Sequence, residues 1–494
     1  MSSVPRTVMP ESSVDVVHWR RHKNLRSLNL IMAVPLLSLF TQGFDGSMMN
    51  GLQAVENWRS YFGEPKGATL GLFNAAYPIG GLVAIPFITF ISDGFGRRAG
   101  LALGVIICCI GAAIQTGAQN LEIFVVARGI LGCGAVLLGS SGALLTEIAH
   151  PAPRATATAM FSTTYSLGAI VAAWSTFGTF RIDGTALWRI PSALQGLPVL
   201  MQLLGLCLVP GGPRWLVSRD RGREALAVLA GYHAEGNEAD PLVQFEFHDI
   251  QEALQHEFYP FSWKSKASVY SVLECVFCPG NTFISYYLSP VLSSVGLTSS
   301  IEQTLINATR QMLSWLSALY FATLPNKLGR RVLFLGPGAS MFLCLVGITT
   351  GSAMFAKDPS NQAAGGAVIA FLYLFSPCYN FGVNGNLGLY VTEILPFHLR
   401  MTGQALFQFF LTCFTLLATY VFPIGSQDIG WKFYTIFIPW VDVEFIVVYF
   451  FYPETKGYTL EDIVTLFDGE SAALSENVGL EGKEIDVGQS EVRK

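Results

Sequence analysis

Long apolar runs alternate with short polar ones along the whole chain. Twelve runs fall at about 28–50, 69–91, 99–117, 122–147, 158–179, 190–210, 268–292, 303–324, 332–355, 364–391, 402–424 and 430–452. An α-helix needs about twenty apolar residues to cross a bilayer, and each run is near that length. The pattern predicts an all-α membrane protein with 12 transmembrane helices. A polar stretch of mixed charge separates six runs from six and contains a helical sequence, GREALAVLAGYHA. The expected organisation is an N-terminal segment at 1–27, a six-helix half at 28–210, a central loop with short helices at 211–267, a second half at 268–452 and a tail at 453–494. The tail after Phe467 is acidic and bears Gly and Ser, a composition that does not build a core. No cleaved signal is expected, because the run from Leu28 is too long and lacks an A-x-A-like site.

Composition agrees with that pattern. Only 13% of the 494 residues are charged and 51% are hydrophobic, whereas soluble domains carry about 25% charge. The net charge of -5 says less than the placement of the charges. Arg97, Arg98, Arg154, the Arg214–Arg223 cluster, Lys327, Arg330, Arg331 and Arg400 share one side with the basic run Arg20, Arg21, Lys23 and Arg26. The opposite loops carry chiefly Arg59, Lys66, Arg181 and Arg189. The positive-inside rule then puts both termini in the cytoplasm. All nine cysteines fall in apolar stretches, and Cys275-x-x-Cys278 has no βαβ context, so packed thiols are expected.

The chain repeats itself. Asp93-Gly-Phe-Gly-Arg-Arg98 returns as Asn326-Lys-Leu-Gly-Arg-Arg331. Thr146-Glu147-Ile, followed by Arg154, returns as Thr392-Glu393-Ile, followed by Arg400. Pro210-Gly-Gly-Pro-Arg214 after the sixth run has its counterpart in Pro453-Glu-Thr-Lys-Gly457 after the twelfth. Every recurrence comes roughly 240 residues on, which implies two six-helix halves in parallel repeat.

One carboxylate, Asp45, stands inside the first apolar run. A charge there costs roughly 3 kcal/mol on insertion scales, so it normally faces a bundle interior and does work. The fourth run carries a cation, Arg128, in VVARGILGCG, and small residues at every fourth position, Ala135, Gly139 and Ala143, that suit close helix packing.

GFDGSMMNGLQ, SDGFGRR, LLTEIAHPAPR, WRIPSALQGLP, GGPRWLVS, SYYLSPVL, KLGRR, YVTEILPFHLR and PETKGYTLEDI occur in this order. Together they resemble the sugar porter family of the major facilitator superfamily, and within it the fungal lactose-permease-like branch. The similarity runs from Gly43 to Gly469. It implies alternating access, with a solute bound between two halves that rock about it. It also places Asp45 where proton symporters of the family carry the acid that pairs with an arginine on the fourth helix, here Arg128. Passive members tend to carry an amide at that position. Desolvation favours protonation of a carboxylate and a nearby cation opposes it, so a pair that forms and breaks can couple proton binding to helix motion. A static structural pair is the plainer reading.

The resemblance assigns a cytoplasmic gate to Asp93, Arg97, Arg98, Glu147, Arg154, Arg214, Arg330, Arg331, Glu393 and Arg400, knitting the halves together. Exposed pairs contribute only about 0–1 kcal/mol each, yet a network can bias two conformers. The sequence departs from the family pattern at Gly94, Asn326 and Gly212, so a weaker closed gate is expected. Alternatively these charges only set topology.

Sugar recognition calls for amides, hydroxyls and aromatic faces. By type and placement the candidates are Gln195, Asn281, Tyr286, Tyr287, Asn384 and Asn386. The family pattern adds Ser162, where the branch commonly has Asn, and Phe277, at a glutamine position; Val391 replaces a usual proline. Such changes favour a larger or less hydroxylated solute. Arg310, read as lying near the end of the eighth run, is expected to snorkel to water. Asn307-Ala-Thr309 has the form of a glycosylation acceptor but lies too near the bilayer. The segment leading into the seventh run, SWKSKASVYSVLECVFCPGN, is shorter than the family's and contains Glu274, which fits either a shortened span or a helix broken at Pro279-Gly280.

These features point to a secondary active transporter of a sugar, polyol or related metabolite, coupled to protons and placed in the plasma membrane. A transporter of a specialised metabolite and a non-transporting nutrient sensor are the alternatives. No enzyme motif, cofactor-binding or metal-ligand spacing, or basic nucleic-acid-binding domain is apparent.

Overall fold

A computed structural model describes residues 23–150, 154–255, 284, 286–321, 324, 328–394, 400–452 and 454, with the backbone alone at 23, 89, 93, 154–160, 252, 253, 255, 384–394, 400–404 and 451. Among the described residues every regular element is helical. The first half comprises α1 (Lys23–Ala54), α2 (Glu56–Tyr61), α3 (Gly67–Phe95), α4 (Arg97–Thr116), α5 (Leu121–Leu138), α6 (Ser140–Ile148), α7 (Arg154–Thr179), α8 (Ala186–Leu194) and α9 (Gly196–Gly205). The fourth apolar run is therefore divided at Gly139 and the sixth at Gln195. The central loop forms α10 (Pro213–Ser218), α11 (Gly222–His233) and α12 (Pro241–Gln255), of which α11 is the helix read from GREALAVLAGYHA. The second half holds α13 (Leu288–Ser294), α14 (Ser300–Phe321), α15 (Arg330–Lys357), α16 (Gln362–Ile394), α17 (Arg400–Ile429) and α18 (Phe437–Phe451).

Eight helical stretches among the described residues are long and apolar enough to cross a membrane, and the last, Ala405–Phe450, holds two of the expected runs. Most of the seventh expected run lies outside the described residues. The long helices α7 and α14 fall short of that apolarity for a physical reason. Gln303, Thr304, Asn307 and Arg310 on α14, and Ser166, Thr176 and Thr179 on α7, are polar and buried. Their polarity faces the protein, while Leu30, Phe90, Leu204 and Phe450 lie open on the outer surface, as lipid-facing side chains must.

Two crossings set the packing of the first half. A Cβ on Gly43 would stand 1.8 Å from the Tyr165 carbonyl oxygen, and one on Gly168 would stand 2.0 Å from that of Phe40, so α1 and α7 touch backbone to backbone. A Cβ on Gly80 would meet Gly129 O at 1.8 Å, and one on Gly132 would meet Tyr77 O at 1.8 Å, fixing α3 against α5. Membrane helices pack through such small residues because lipid offers no hydrophobic drive for association. The small triplet expected to serve this purpose is not where α5 comes closest. Gly129 and Gly132 on the same helix are.

The halves meet where α3 crosses α17 and α7 crosses α14. At the Ala54 end of α1 they are also tied by hydrogen bonds. Gln53 Nε2 donates to Tyr286 O at 3.2 Å, Leu288 N–H to Asn50 Oδ1 at 3.3 Å, and Ser300 Oγ to Ala54 O at 2.8 Å.

Gly132→Ala should cost about 1–3 kcal/mol through overpacking. The check is thermal unfolding of the detergent-purified protein. Gly178→Ala, where no atom lies within 4 Å of an added Cβ, should leave the transition unchanged.

Candidate transport site

Asp45, on α1, and Arg128, on α5, form an ion pair that is 2% and 0% exposed. Arg128 Nη1 donates to both carboxylate oxygens, at 2.9 and 3.1 Å. Its Nε donates to Phe73 O at 3.0 Å, and its guanidinium lies 5.3 Å from the centre of the Tyr77 ring. Gln195 Nε2 donates to Asp45 Oδ1 at 3.0 Å. Three long helices and the α8–α9 junction therefore converge on one pair of charges. Taking each ion out of water costs several kcal/mol, which only such geometry and added hydrogen bonds can offset.

On the other side of α1, a cavity of about 60 Å³ opens between the halves. Gly43, Gly46 and Ser47 form the α1 wall, with Tyr165, Ser166 and Ala169 from α7. The second half contributes Tyr286, then Arg310, Gln311 and Ser314 from α14, and Ser376, Tyr379 and Asn380 from α16. A Cβ on Gly46 would stand 3.1 Å from the Tyr165 hydroxyl, so the bare backbone there gives that hydroxyl its place. Asn380 Nδ2 is held by Ser314 O and by the hydroxyls of Ser314 and Ser317, at 2.8 to 3.0 Å. The cavity is thus lined largely by polar side chains and shared by both halves.

Residues 31–467 match the family model for sugar (and other) transporters. The chain belongs to that family. Among curated proteins the transporter is 27% identical over 479 residues to the high-affinity glucose transporter of Kluyveromyces lactis, covering 90% of this chain and 86% of that one. Among solved structures it is similar to the partially occluded inward-open xylose transporter XylE from E. coli, with a TM-score of 0.74, 19% identity and coverage of 88% and 100%. It is also similar to the proton:xylose symporter XylE bound to 6-bromo-6-deoxy-D-glucose, with a TM-score of 0.73, 19% identity and coverage of 90% and 100%. The fold is that of the major facilitator superfamily. Its activity is transport, not catalysis.

Within the transporter, the sequence candidates separate into distinct places. Asp45 and Arg128 are brought together. Tyr286 lines the cavity. Gln195 is turned to Asp45, so its amide orients the acid. Tyr287 is fully buried in the core of the second half, where it stacks on Phe422 at 4.7 Å and its hydroxyl donates to Thr419 O. Ser162 is exposed on α7, one turn before the cavity-lining Tyr165. Phe277 and Asn281 lie outside the described residues, as do the side chains of Asn384 and Asn386.

Arg310 overturns its expectation. It does not snorkel; it is 3% exposed at the middle of the 22-residue α14 and lines the cavity. The signal was present in the sequence. Gln303, Asn307, Arg310, Gln311, Ser314 and Ser317 form a polar stripe at spacings of three and four on one helix face. Tyr165, Ser376, Tyr379 and Asn380 carried no comparable signal, being ordinary residues within apolar runs.

The bonds described at four of the gate residues run within a half. Arg97 Nε pairs with Glu147 Oε1 at 3.2 Å in the first half. In the second half the backbone N–H groups of Arg330 and Arg331 donate to the Glu454 carboxylate at 2.8 and 3.2 Å, and Arg331 Nη2 donates to Tyr449 O at 2.6 Å. Arg98 is exposed and Arg214 half-buried. The side chains of Asp93, Arg154, Glu393 and Arg400 lie outside the described residues.

Removing one member of a buried ion pair strands the other. Arg128→Met should therefore destabilise the transporter by roughly 3–5 kcal/mol, and adding Asp45→Asn should recover part of that loss. Unfolding temperatures of the two single variants and the double variant decide it.

Proposed function

We propose that the protein is a proton-coupled symporter that moves a sugar or sugar-like solute across the plasma membrane by alternating access. In this reading 12 helices span the bilayer, six in residues 28–210 and six in 268–452, with both termini and the central segment in the cytoplasm. The observation that carries it is the buried Asp45–Arg128 pair standing directly behind the wall of a polar cavity between the halves. The family match and the proton:xylose symporter among the structural neighbours support the same assignment.

The cavity is the solute site and the ion pair is the proton site. Gly46 and Ser47 line the cavity and immediately follow Asp45 on α1. A solute that shifts α1 shifts the carboxylate against Arg128. Protonation of Asp45 removes the charge that holds Arg128, lowering the cost of parting α1 from α5. Hydrogen bonds join the halves at the Ala54 end of α1, which suits a state closed at the extracellular end. The arginines and acids at the opposite end serve as a cytoplasmic gate, bracing each half as a unit.

Asp45→Asn keeps an oxygen for Arg128 but cannot cycle a proton. In vesicles with an acid exterior, the variant should lose uphill accumulation of solute and retain exchange between labelled and unlabelled solute. Uphill uptake equal to that of the parent would remove Asp45 from the coupling mechanism.

A further inference from the structure

Arg310 differs from Arg128 in one respect that bears on the cargo. Both guanidinium groups are buried in the spanning bundle, at 3% and 0% exposure. Arg128 has a carboxylate partner. Among the described residues, Arg310 forms no ion pair. Its Nη1 donates to the Ser376 hydroxyl at 3.0 Å, and its Nε is buried without an acceptor. Among the described residues, a full positive charge at the middle of α14 is therefore held by one neutral hydroxyl, at the wall of the cavity. An unbalanced buried cation is costly, and in membrane proteins such a group marks the path of a substrate of opposite charge.

We infer that the transported solute carries a carboxylate, bound by Arg310, and that the cargo is a hydroxylated acid such as a sugar acid. The planar fork of a guanidinium matches a carboxylate in two parallel hydrogen bonds, which an ammonium or an amide cannot reproduce. The hydroxyls of Tyr165 and Tyr286 on the same cavity wall offer partners for the rest of a polyhydroxy solute. A neutral sugar would leave the Arg310 charge unbalanced. The inference rests on reading this cavity as the transport site.

The test uses purified full-length protein with D-glucuronate and D-gluconate as probes, each set against its neutral counterpart, D-glucuronamide or D-glucose. Uptake into vesicles under an acid-outside gradient should favour the carboxylates by about 10- to 100-fold, as expected for a charge-assisted hydrogen bond. Arg310→Gln should bring the acid-to-neutral ratio near one, and Arg310→Lys should keep part of it. Because a variant could lose transport by misfolding, unfolding temperatures of the parent protein are read with the same four probes. A carboxylate that raises the transition where its neutral counterpart does not supports the inference. Equal or better uptake of the neutral compounds overturns it, as does an acid preference that survives Arg310→Gln. Accumulation of none of the probes, with a carboxylate-specific thermal shift, sinks the transport reading and keeps the anion site. Absence of both sinks the anion site as well.

Discussion

The bilayer tolerates the Asp45–Arg128 pair only because the rest of the first half is built around it. Four segments contribute: α1 supplies the acid, α5 the base, α3 the Phe73 carbonyl and the Tyr77 ring, and Gln195 a donor to the acid. Each contact lowers the cost of two charges that water no longer solvates. The network is also left incomplete. Arg128 Nη2 and Gln195 Oε1 are buried without partners. A fully satisfied network would lock the helices, whereas one with unspent hydrogen-bonding capacity can exchange partners as they move. In the proposed mechanism the pair holds α1 against α5 firmly enough to define one conformer and loosely enough to leave it.

What the sequence revealed depended on how rare each residue is in its setting. A charge in an apolar run is conspicuous, so Asp45 and Arg128 could be read directly, as could the repeat carried by charged motifs between runs. Amides and aromatic hydroxyls are ambiguous, because one that binds a solute and one that orients a neighbour or fills a core look alike in a string of letters. Gln195 and Tyr287 show this, the one bonding to the acid and the other packed in the core. Arg310 was conspicuous too, but its depth was misjudged. Its place at the centre of α14 follows from where that helix starts and stops, and boundaries are what periodicity fixes least well. The glycine crossings were hidden for another reason. Which small residue meets a facing carbonyl depends on the rotation of two helices, and one strand of sequence does not contain the other helix's phase.

The two halves repeat in sequence without being equivalent in physics. In the second half Glu454 accepts hydrogen bonds from the first N–H groups of α15, an anion at the positive end of a helix dipole. The corresponding position in the first half is Gly211, which carries no acid. At the next residue, Gly212, a Cβ would lie 2.1 Å from a Glu147 carboxylate oxygen, so Glu147 packs directly on this backbone. In the first half it is Glu147 that takes an arginine, Arg97. Both arrangements stiffen a half, which is what rigid-body rocking requires of its moving parts.

On the proposed reading, solute and proton sites communicate through one close crossing. Tyr165 faces the cavity with its side chain, and its carbonyl oxygen is the atom that a Cβ on Gly43 would strike at 1.8 Å. No slack separates α7 from α1 at that point. A solute that displaces Tyr165 must therefore displace Gly43 as well, and Asp45 follows two residues along the same rigid helix. In the proposed mechanism the element with two arrangements is α1, docked against α5 by the ion pair or released from it, and both ligands act on it. A proton acts by cancelling the charge, and a solute acts by pushing at the crossing. Coupling of this kind needs no chain of messengers, only a helix too tightly packed to move in part.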